Sequence, residues 1–388
     1  MRSSSSGTPE PGLLLEERGL AGYNVKISRA GTAPDWDAFV ASCAGAHYEQ
    51  TTLWAKVKQC YGWAPLRVVL LRGDEIAGGA QVLVRPFGRL GRIGHISRGP
   101  VAASDDPRLI EAILRGVDRA LSAERLTYVA IVPPEHGSCY EPGLSRLGYR
   151  RKPNALPPGG VMTATLTLDL SANLDNMIAR ARRNMRRNLH RAVVSGVKVR
   201  EGGESDVQVF RDLMWALCDR RGVSPTPPQR DFFEQTWRVF RPSGNVQIFL
   251  AEVGGQVVSA LFTFPFGDTM RTWKAGWAGD HAGLGVNEML YWEAIKWAKV
   301  RGLRSFDFVG IERSFAQMLE RGDLIDWTNV SGPDNFKASF GGKAVVVPEP
   351  YYRFYAPFLQ VCARAGGKRL LESPLAAPLL GRLGSSAA

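Results

Sequence analysis

The sequence predicts an α/β protein of two similar domains in tandem, each a mixed sheet with helices packed on it. Three observations carry this expectation. The chain has 388 residues, which at ordinary domain size makes two domains. Its composition, 45% hydrophobic and 22% charged, is globular and supplies sizeable cores. One order of elements, hairpin then helix then strand, occurs twice, offset by roughly 180 residues.

Residues 1–22 begin MRSSSSGTPEPG, which is rich in Ser, Gly and Pro and has no apolar h-region. They read as a disordered leader rather than a signal peptide. From Tyr23, YNVKISRA alternates like a strand, and DWDAFVASC reads as a helix with Asp35 as its cap. Pro65 to Pro86 reads as strand, tight turn at Gly73-Asp74, strand. A helix from Pro107 to Glu124 and the buried strand LTYVAIVP complete the first unit. The second unit repeats it: a hairpin about Gly254-Gly255, the helix NEMLYWEAIKWAKVRG, then the strand LRSFDFVG. RGDEIAGGA lies over VGGQVVSAL, and ALSAERLTYVAIV over WAKVRGLRSFDFV. A hairpin that passes through a helix into a further strand makes a mixed sheet. The Pro/Gly-rich stretch from Lys152 to Met162 marks the boundary, with TATLTLDL opening the second half. The expected domains are 23–160 and 161–350, followed by a C-terminal tail, 351–388, of helical character.

Five scattered cysteines without a CxxC pair point to neither a disulfide framework nor a cysteine-held metal, and fit a reducing cytoplasm. The five histidines form no metal-binding motif, and no run of about 18 apolar residues suggests a membrane span. The net charge of +12 favours anionic partners: nucleic acid, diphosphate-bearing substrates or an anionic membrane face. The tail YYRFYAPFLQVCARAGGKRLL mixes aromatics with Arg and Lys. It reads either as a contact with the inner membrane face or as a helix packed on the domain.

Two segments carry most of the functional signal. Asn176 to Arg200 contains no acidic residue, and Arg180, Arg182, Arg183, Arg186, Arg187 and Arg191 crowd roughly three helical turns. On one helix Arg180, Arg183, Arg187 and Arg191 share a face, suited to phosphates of a diphosphate or an RNA backbone. GDHAGLGVNEML then runs through Gly283 and Gly285 into a helix. That spacing resembles the loop on which acetyltransferases (the GNAT fold) hold a cofactor pyrophosphate. Asp280 replaces the leading basic residue of that loop, and the corresponding GPVAASDDPRL has no glycine pair.

The chain as a whole resembles the Fem family of aminoacyl-tRNA-dependent peptidyltransferases, which build peptidoglycan interpeptide bridges. The resemblance runs from Tyr23 to Tyr355. It includes Gln50-Thr51-Thr52-Leu53-Trp54-Ala55-Lys56, Arg98-Gly99-Pro100, the arginine stretch and Asp219-Arg220-Arg221-Gly222-Val223. It closes with Asn287 and Leu290 to Ile295, Phe306-Asp307-Phe308 with Gly310, and Asn335-Phe336-Lys337 with Phe340-Gly341.

The resemblance implies two tandem GNAT-like domains with the acceptor between them. An amino acid arrives as an ester on tRNA, and a peptidoglycan precursor, lipid-linked or nucleotide-linked, offers the amine. An ester is already activated, so the chemistry asks for positioning and charge stabilisation without metal or cofactor. By residue, Phe336 and Lys337 take the catalytic place, with Lys337 near the reacting carbonyl. Lys56, Arg220 and Arg221 meet the acceptor's diphosphate, with Trp54 and Asn287 among the substrate-binding positions. Trp273 lines the peptide channel or belongs to the core. Arg180, Arg183, Arg187 and Arg191 take the tRNA phosphates. Asp307 reads more as a structural carboxylate at a strand end than as a base.

Two departures stand out. Family members often carry Asp-Pro after the first-domain strand, where this chain has Val132-Pro133, so no base acts from there. The long helical arm of some members is missing between Arg200 and Pro242, which leaves tRNA contact to the globular body. The expected activity is aminoacyl transfer from tRNA to a precursor amine, in the cytoplasm or at the inner face of the plasma membrane. The alternatives are tRNA-dependent aminoacylation of a peptide-like natural product, an acyl-CoA N-acyltransferase of envelope polysaccharide synthesis, and a non-catalytic binding protein on the same fold.

Overall fold

The structure, a computed structural model, describes residues 14–20, 22–86, 91–151 and 162–355. In chain order the first half holds β1 (Leu14–Leu20), β2 (Tyr23–Ser28), α1 (Pro34–Ser42), α2 (Thr52–Gln59), β3 (Ala64–Arg72), β4 (Glu75–Pro86), β5 (Arg92–Ser97), β6 (Val101–Ala102), α3 (Pro107–Ala123), β7 (Leu126–Val132), α4 (Glu141–Arg146) and β8 (Arg150–Arg151). The second holds β9 (Ala164–Asp169), α5 (Leu174–Arg180), α6 (Arg183–Val194), β10 (Lys198–Glu201), α7 (Asp206–Arg220), α8 (Phe232–Phe240), β11 (Gln247–Val253), β12 (Gln256–Phe266), β13 (Thr269–Trp277), α9 (Val286–Val300), β14 (Ser305–Asp307), α10 (Arg313–Arg321), α11 (Gly332–Ala338), β15 (Lys343–Val346) and β16 (Tyr351–Phe354).

The duplication is real in three dimensions. In the first half β3, β4 and β5 are antiparallel neighbours, and α3 carries the chain back to β7, parallel to β5. In the second half β11, β12 and β13 do the same, and α9 leads to β14, parallel to β13. Each unit has one strand more than the hairpin, helix and strand read from sequence, because β5 and β13 follow their hairpins directly.

The helices form for local reasons. In α3 Pro107 occupies the first turn, and the Asp106 side chain accepts the Arg108 N–H at 2.9 Å. Leu109, Ile113, Leu114, Val117 and Leu121 recur on its buried face. In α1 the cap position is Ala33, with Pro34 in the first turn, so Asp35 sits inside the helix rather than capping it.

Strand alternation divides the apolar residues between three cores. Val68, Leu70, Val82 and Val84 face α3, while Val69 and Leu83 face the other way. Phe249 and Leu261 face α6 and α9, while Ile248, Leu250 and Phe262 face inward. The inward faces of both sheets, with α1, α2, α7 and α8, share one aromatic core. In it Tyr48 stacks on Phe264 at 3.8 Å and meets Phe240 edge-on at 6.1 Å. The two halves are thus joined by a hydrophobic core rather than a polar hinge.

Two boundary expectations change. Leu14–Leu20, placed in the leader, are a strand antiparallel to β2. Tyr351–Phe354, placed in the tail, form β16, which returns to the first sheet between β7 and β8. Arg353 pairs there with Asp118, which also accepts the Tyr149 hydroxyl at 3.0 Å. The first sheet is therefore completed by a strand that follows the second domain in the chain. The linker at 152–161 and the segment 356–388 lie outside the described residues, and with them the membrane reading of the tail. Residues 206–220 and 232–240, where some family members have a helical arm, form α7 and α8 packed on the body. Among the described residues no helix is long and apolar enough to cross a membrane.

Candidate functional site

A cleft opens where the two halves meet, at the carboxyl ends of β7 and β14, the usual place for ligands in such sheets. The duplication places Val132 and Val309 at equivalent strand ends, and both line it. The first half adds the turn His47-Tyr48-Glu49, Trp54 from α2, and His95, Ser97 and Arg98 from and after β5. The second adds Met162, Thr226-Pro227, Arg271, Trp273 and Lys274 from β13, and Asp307 from β14.

Two interlocks set this geometry and explain why distant motifs occur together. In the first half the buried Gln50 amide accepts the Gln81 N–H at 2.8 Å and donates to the Ser97 carbonyl at 2.5 Å. It lies so close to Gly99 that a Cβ there would sit 2.7 Å from it, so Gln50 and the Arg98-Gly99-Pro100 turn need each other. The Thr51 side chain caps α2 by accepting the Trp54 N–H, which aims Trp54 into the cleft. In the second half the Lys337 ammonium donates to the Val309 carbonyl at 2.6 Å and to the Gly310 carbonyl. Both of those residues have positive φ, 49° and 72°, so Lys337 holds an unusual turn immediately behind the cleft wall. Burial brings its pKa down to about 8.

The floor of the cleft is a buried charge cluster. Asp307 is fully buried and accepts the Val309 N–H at 2.8 Å and the Thr165 hydroxyl through Oδ1. Its Oδ2 has no hydrogen-bond partner among the described residues. The Arg271 Nε stands 3.7 Å from that oxygen and 3.7 Å from Glu135 Oε1. Burial pushes the Asp307 carboxyl up to about 6, the Glu135 charge adds to this, and Arg271 opposes it. Burial also lowers His47, with Arg271 and Arg98 adding, and takes His95 to about 3, so both imidazoles are neutral near pH 7. The walls are aromatic: Trp54 and Trp273 meet edge-on at 6.1 Å.

The residues named from sequence fall into three places. Trp54 and Trp273 line the cleft, and Trp273 also packs on Phe262 and Phe264, so it is both wall and core. Lys337 sits behind the wall, and Phe336 packs edge-on to Tyr291 at 5.1 Å. The rest lie outside the cleft lining. Lys56 is half-buried on α2. Arg220 grips the end of β13 through the Ala278 carbonyl at 2.7 Å and the Trp277 carbonyl, and Arg221 is exposed at the α7 terminus. The Asn287 side chain accepts the Ser259 hydroxyl at 2.7 Å.

The arginine stretch is two helices, not one. Ala181 and Arg182 are extended, so Arg180 ends α5 and does not share the face of Arg183, Arg187 and Arg191 on α6. The break is held by the Arg182 N–H on the Ser339 carbonyl and by its guanidinium, 3.5 Å over Trp327 and 2.6 Å from Asn335 Oδ1. Arg183, Arg186 and Arg187 are exposed on α6. Arg191 donates to the Gly283 carbonyl at 2.7 Å, and a Cβ on Gly285 would meet the Asn188 carbonyl at 2.1 Å. α6 therefore lies directly on the glycine turn before α9. Among the described residues no group of His, Cys, Asp and Glu is arranged to hold a metal ion.

Sequence reading did not single out His47 and Arg271, which line the cleft, or Glu135, which stands beside Arg271, and it took Asp307 as a structural carboxylate. The available signal was a charge inside a strand of otherwise buried character: Arg271 in TMRTWKAGW and Asp307 in SFDF.

Comparison with known proteins agrees with this geometry. A FemAB family profile matches residues 32–142, and an Acetyltransferase (GNAT) domain profile matches residues 179–318. The chain is 26% identical over 231 residues to a lipid II:glycine glycyltransferase of Staphylococcus aureus, covering 57% of this chain and 54% of that protein. It thus spans about half the length of the curated relatives it matches. Among solved structures, FemX superposes with a TM-score of 0.73 at 17% identity, over 86% of this chain and 99% of that one. A tandem GNAT protein from the clavulanic acid biosynthesis pathway superposes at 0.50 and 10% identity, over 86% and 99%. The fold is a tandem pair of GNAT-like domains, and over residues 32–142 the chain is similar to the FemAB family.

Proposed function

We propose that the chain is an aminoacyltransferase that moves an amino acid from aminoacyl-tRNA to an amine of a peptidoglycan precursor peptide, lipid-linked or nucleotide-linked, in the cleft between its domains. The observation that carries this reading is Asp307: a buried carboxyl with a raised pKa and an open oxygen, at the end of an aromatic-walled cleft. Such a group suits proton removal from an ammonium near neutral pH.

The steps balance without a protein nucleophile. The acceptor ammonium gives a proton to Asp307 Oδ2. The amine nitrogen attacks the ester carbonyl carbon, and the carbon–oxygen bond to the tRNA ribose breaks. The ribose oxygen takes the second proton from nitrogen, leaving an amide and a free tRNA hydroxyl. Lys337 acts in this scheme as a positioning residue, holding the Val309-Gly310 turn. The rate should therefore rise through about pH 6 as Asp307 ionises and fall above about pH 8 as Lys337 loses its charge. A profile of kcat/KM between pH 5 and 9 checks both limbs, and a flat profile would rule out both roles.

The exposed arginines of α6 are the proposed seat of the tRNA backbone. Replacing Arg183 and Arg187 by alanine should weaken tRNA binding and reduce the slope of log K against log salt by about 1 per arginine. Unchanged affinity at low salt would exclude α6 as that surface.

A second reading, acyl transfer from coenzyme A, draws on the GNAT domain match over 179–318. Against it, α6 sits on the glycine turn before α9, and Asp280 stands where such loops carry a basic residue. The decisive assay supplies a radiolabelled aminoacyl-tRNA pool and the precursor to the purified protein. Label that moves to the precursor and then resists RNase supports the proposal. Transfer from acetyl-CoA instead would overturn it.

A further inference from the structure

The cleft floor holds more unsatisfied polar capacity than proton transfer requires, and it is of both signs. Arg98 is 7% exposed and Arg271 2%. Arg98 Nη1, and Arg271 Nε and Nη1, are buried without hydrogen-bond partners among the described residues. So are Glu135 Oε1 and Asp307 Oδ2. The 3.7 Å separations between Arg271 Nε and the two carboxylate oxygens are too long for hydrogen bonds. The charges are neighbours, yet the donors and acceptors stay open. Buried polar groups in folded proteins are nearly always paired, so a cluster open on both sides marks a ligand site.

The sign pattern defines the ligand. A simple anion would satisfy the two arginines and be repelled by Glu135 and Asp307. A simple amine would do the reverse. A group carrying an ammonium and a carboxylate side by side satisfies all four. An amino-acid centre is such a group: its nitrogen and carboxylate carbon are attached to one carbon, about 2.5 Å apart. Such a compact group can meet a donor and an acceptor that are neighbours, and Arg271 and Asp307 pair in register across β13 and β14 with Nε and Oδ2 3.7 Å apart.

We propose that the acceptor amine carries a free carboxylate on the same carbon, that Arg98 and Arg271 bind this carboxylate, and that Glu135 and Asp307 receive the amine. The selected acceptor is thus an amino-acid end group within the precursor peptide rather than a bare alkylamine side chain. Arg98 is then a specificity residue contributed by the first domain, and Glu135 supplies, three residues beyond Val132, an acid from the strand end where the family's Asp-Pro is lost. This inference rests on the reading of the cleft as the amine-acceptor site.

Two acceptor peptides test it: one whose side chain ends in an amine and carboxylate on one carbon, and its lysine counterpart lacking that carboxylate. Both are offered to the full chain with aminoacyl-tRNA, and their binding is measured separately by calorimetry. The wild-type protein should favour the first by about 10- to 100-fold in kcat/KM and in affinity, the range for charge-assisted hydrogen bonds. Arg98→Gln should bring the two acceptors within about threefold while preserving the circular dichroism spectrum. The wild-type comparison needs no variant and stands if Arg271 substitutions fail to fold. Transfer to both acceptors at equal kcat/KM overturns the inference and leaves the transferase reading intact. Selective binding without transfer to either supports this site and overturns the transferase reading.

Discussion

Asp307→Asn should lower kcat for amide formation by about 100-fold or more, the usual share of a positioned acid–base group, while the protein melts no lower than the parent. Asparagine keeps an oxygen for the Val309 N–H and the Thr165 hydroxyl, so local geometry survives. What it removes is a buried charge. The folded pKa of about 6 lies above the ordinary 3.8, so the fold prefers the protonated form. The carboxyl's contribution to stability is therefore full below pH 3.8 and is lost as pH rises through 6. At pH 7 the ionised group opposes folding, and asparagine relieves that opposition. The acid limb of the rate profile should vanish with it. A variant that turns over normally would return Asp307 to the role of structural strand-end carboxylate. Loss of activity with a fallen melting point would equally fail to support a base.

Phe264→Ala should cost about 3–5 kcal/mol, the range for deleting a buried aromatic ring. Phe264 is fully buried, stacks on Tyr48 of the first half, and packs edge-on against Phe240 at 5.1 Å and Trp273 at 5.4 Å. Its loss opens the one core shared by both sheets, and it frees Tyr48 and Trp273, which line the cleft. Stability and transfer should therefore fall together, read as a shift of the denaturation midpoint and a drop in kcat/KM. A change below about 1 kcal/mol would mean that the halves do not depend on this junction.

The repeat was legible in the sequence because it is local. Turns at Gly73-Asp74 and Gly254-Gly255 and the 3.6-residue period of α3 are set by neighbouring residues. The outlying strands β1 and β16 were not legible. β16 joins β7 across more than two hundred residues, and short strands carry little pattern of their own. The arginine helix misled because periodicity does not register a break made by tertiary contacts, here the Ser339 carbonyl and the Trp327 ring holding Arg182. The site was half legible. Motifs such as Gln50-Thr51-Thr52 and Phe336-Lys337 stand out because they interlock, yet they are scaffolding for the cleft. The chemistry proposed for the cleft rests on Arg271, Glu135 and Asp307, which come from three separate segments. The departure at Val132 pointed to a missing acid, and only the fold shows Glu135 standing 3.7 Å from Arg271 of the cleft lining.

The central claim is that the acceptor lies in the junction cleft, not on the glycine turn before α9. A photoreactive diazirine placed beside the acceptor amine of a nucleotide-linked precursor tests this directly, with the adducts mapped by mass spectrometry. The account predicts labelling of Trp54, Met162 and Trp273. Labelling confined to residues 282–288 and α6 would contradict it.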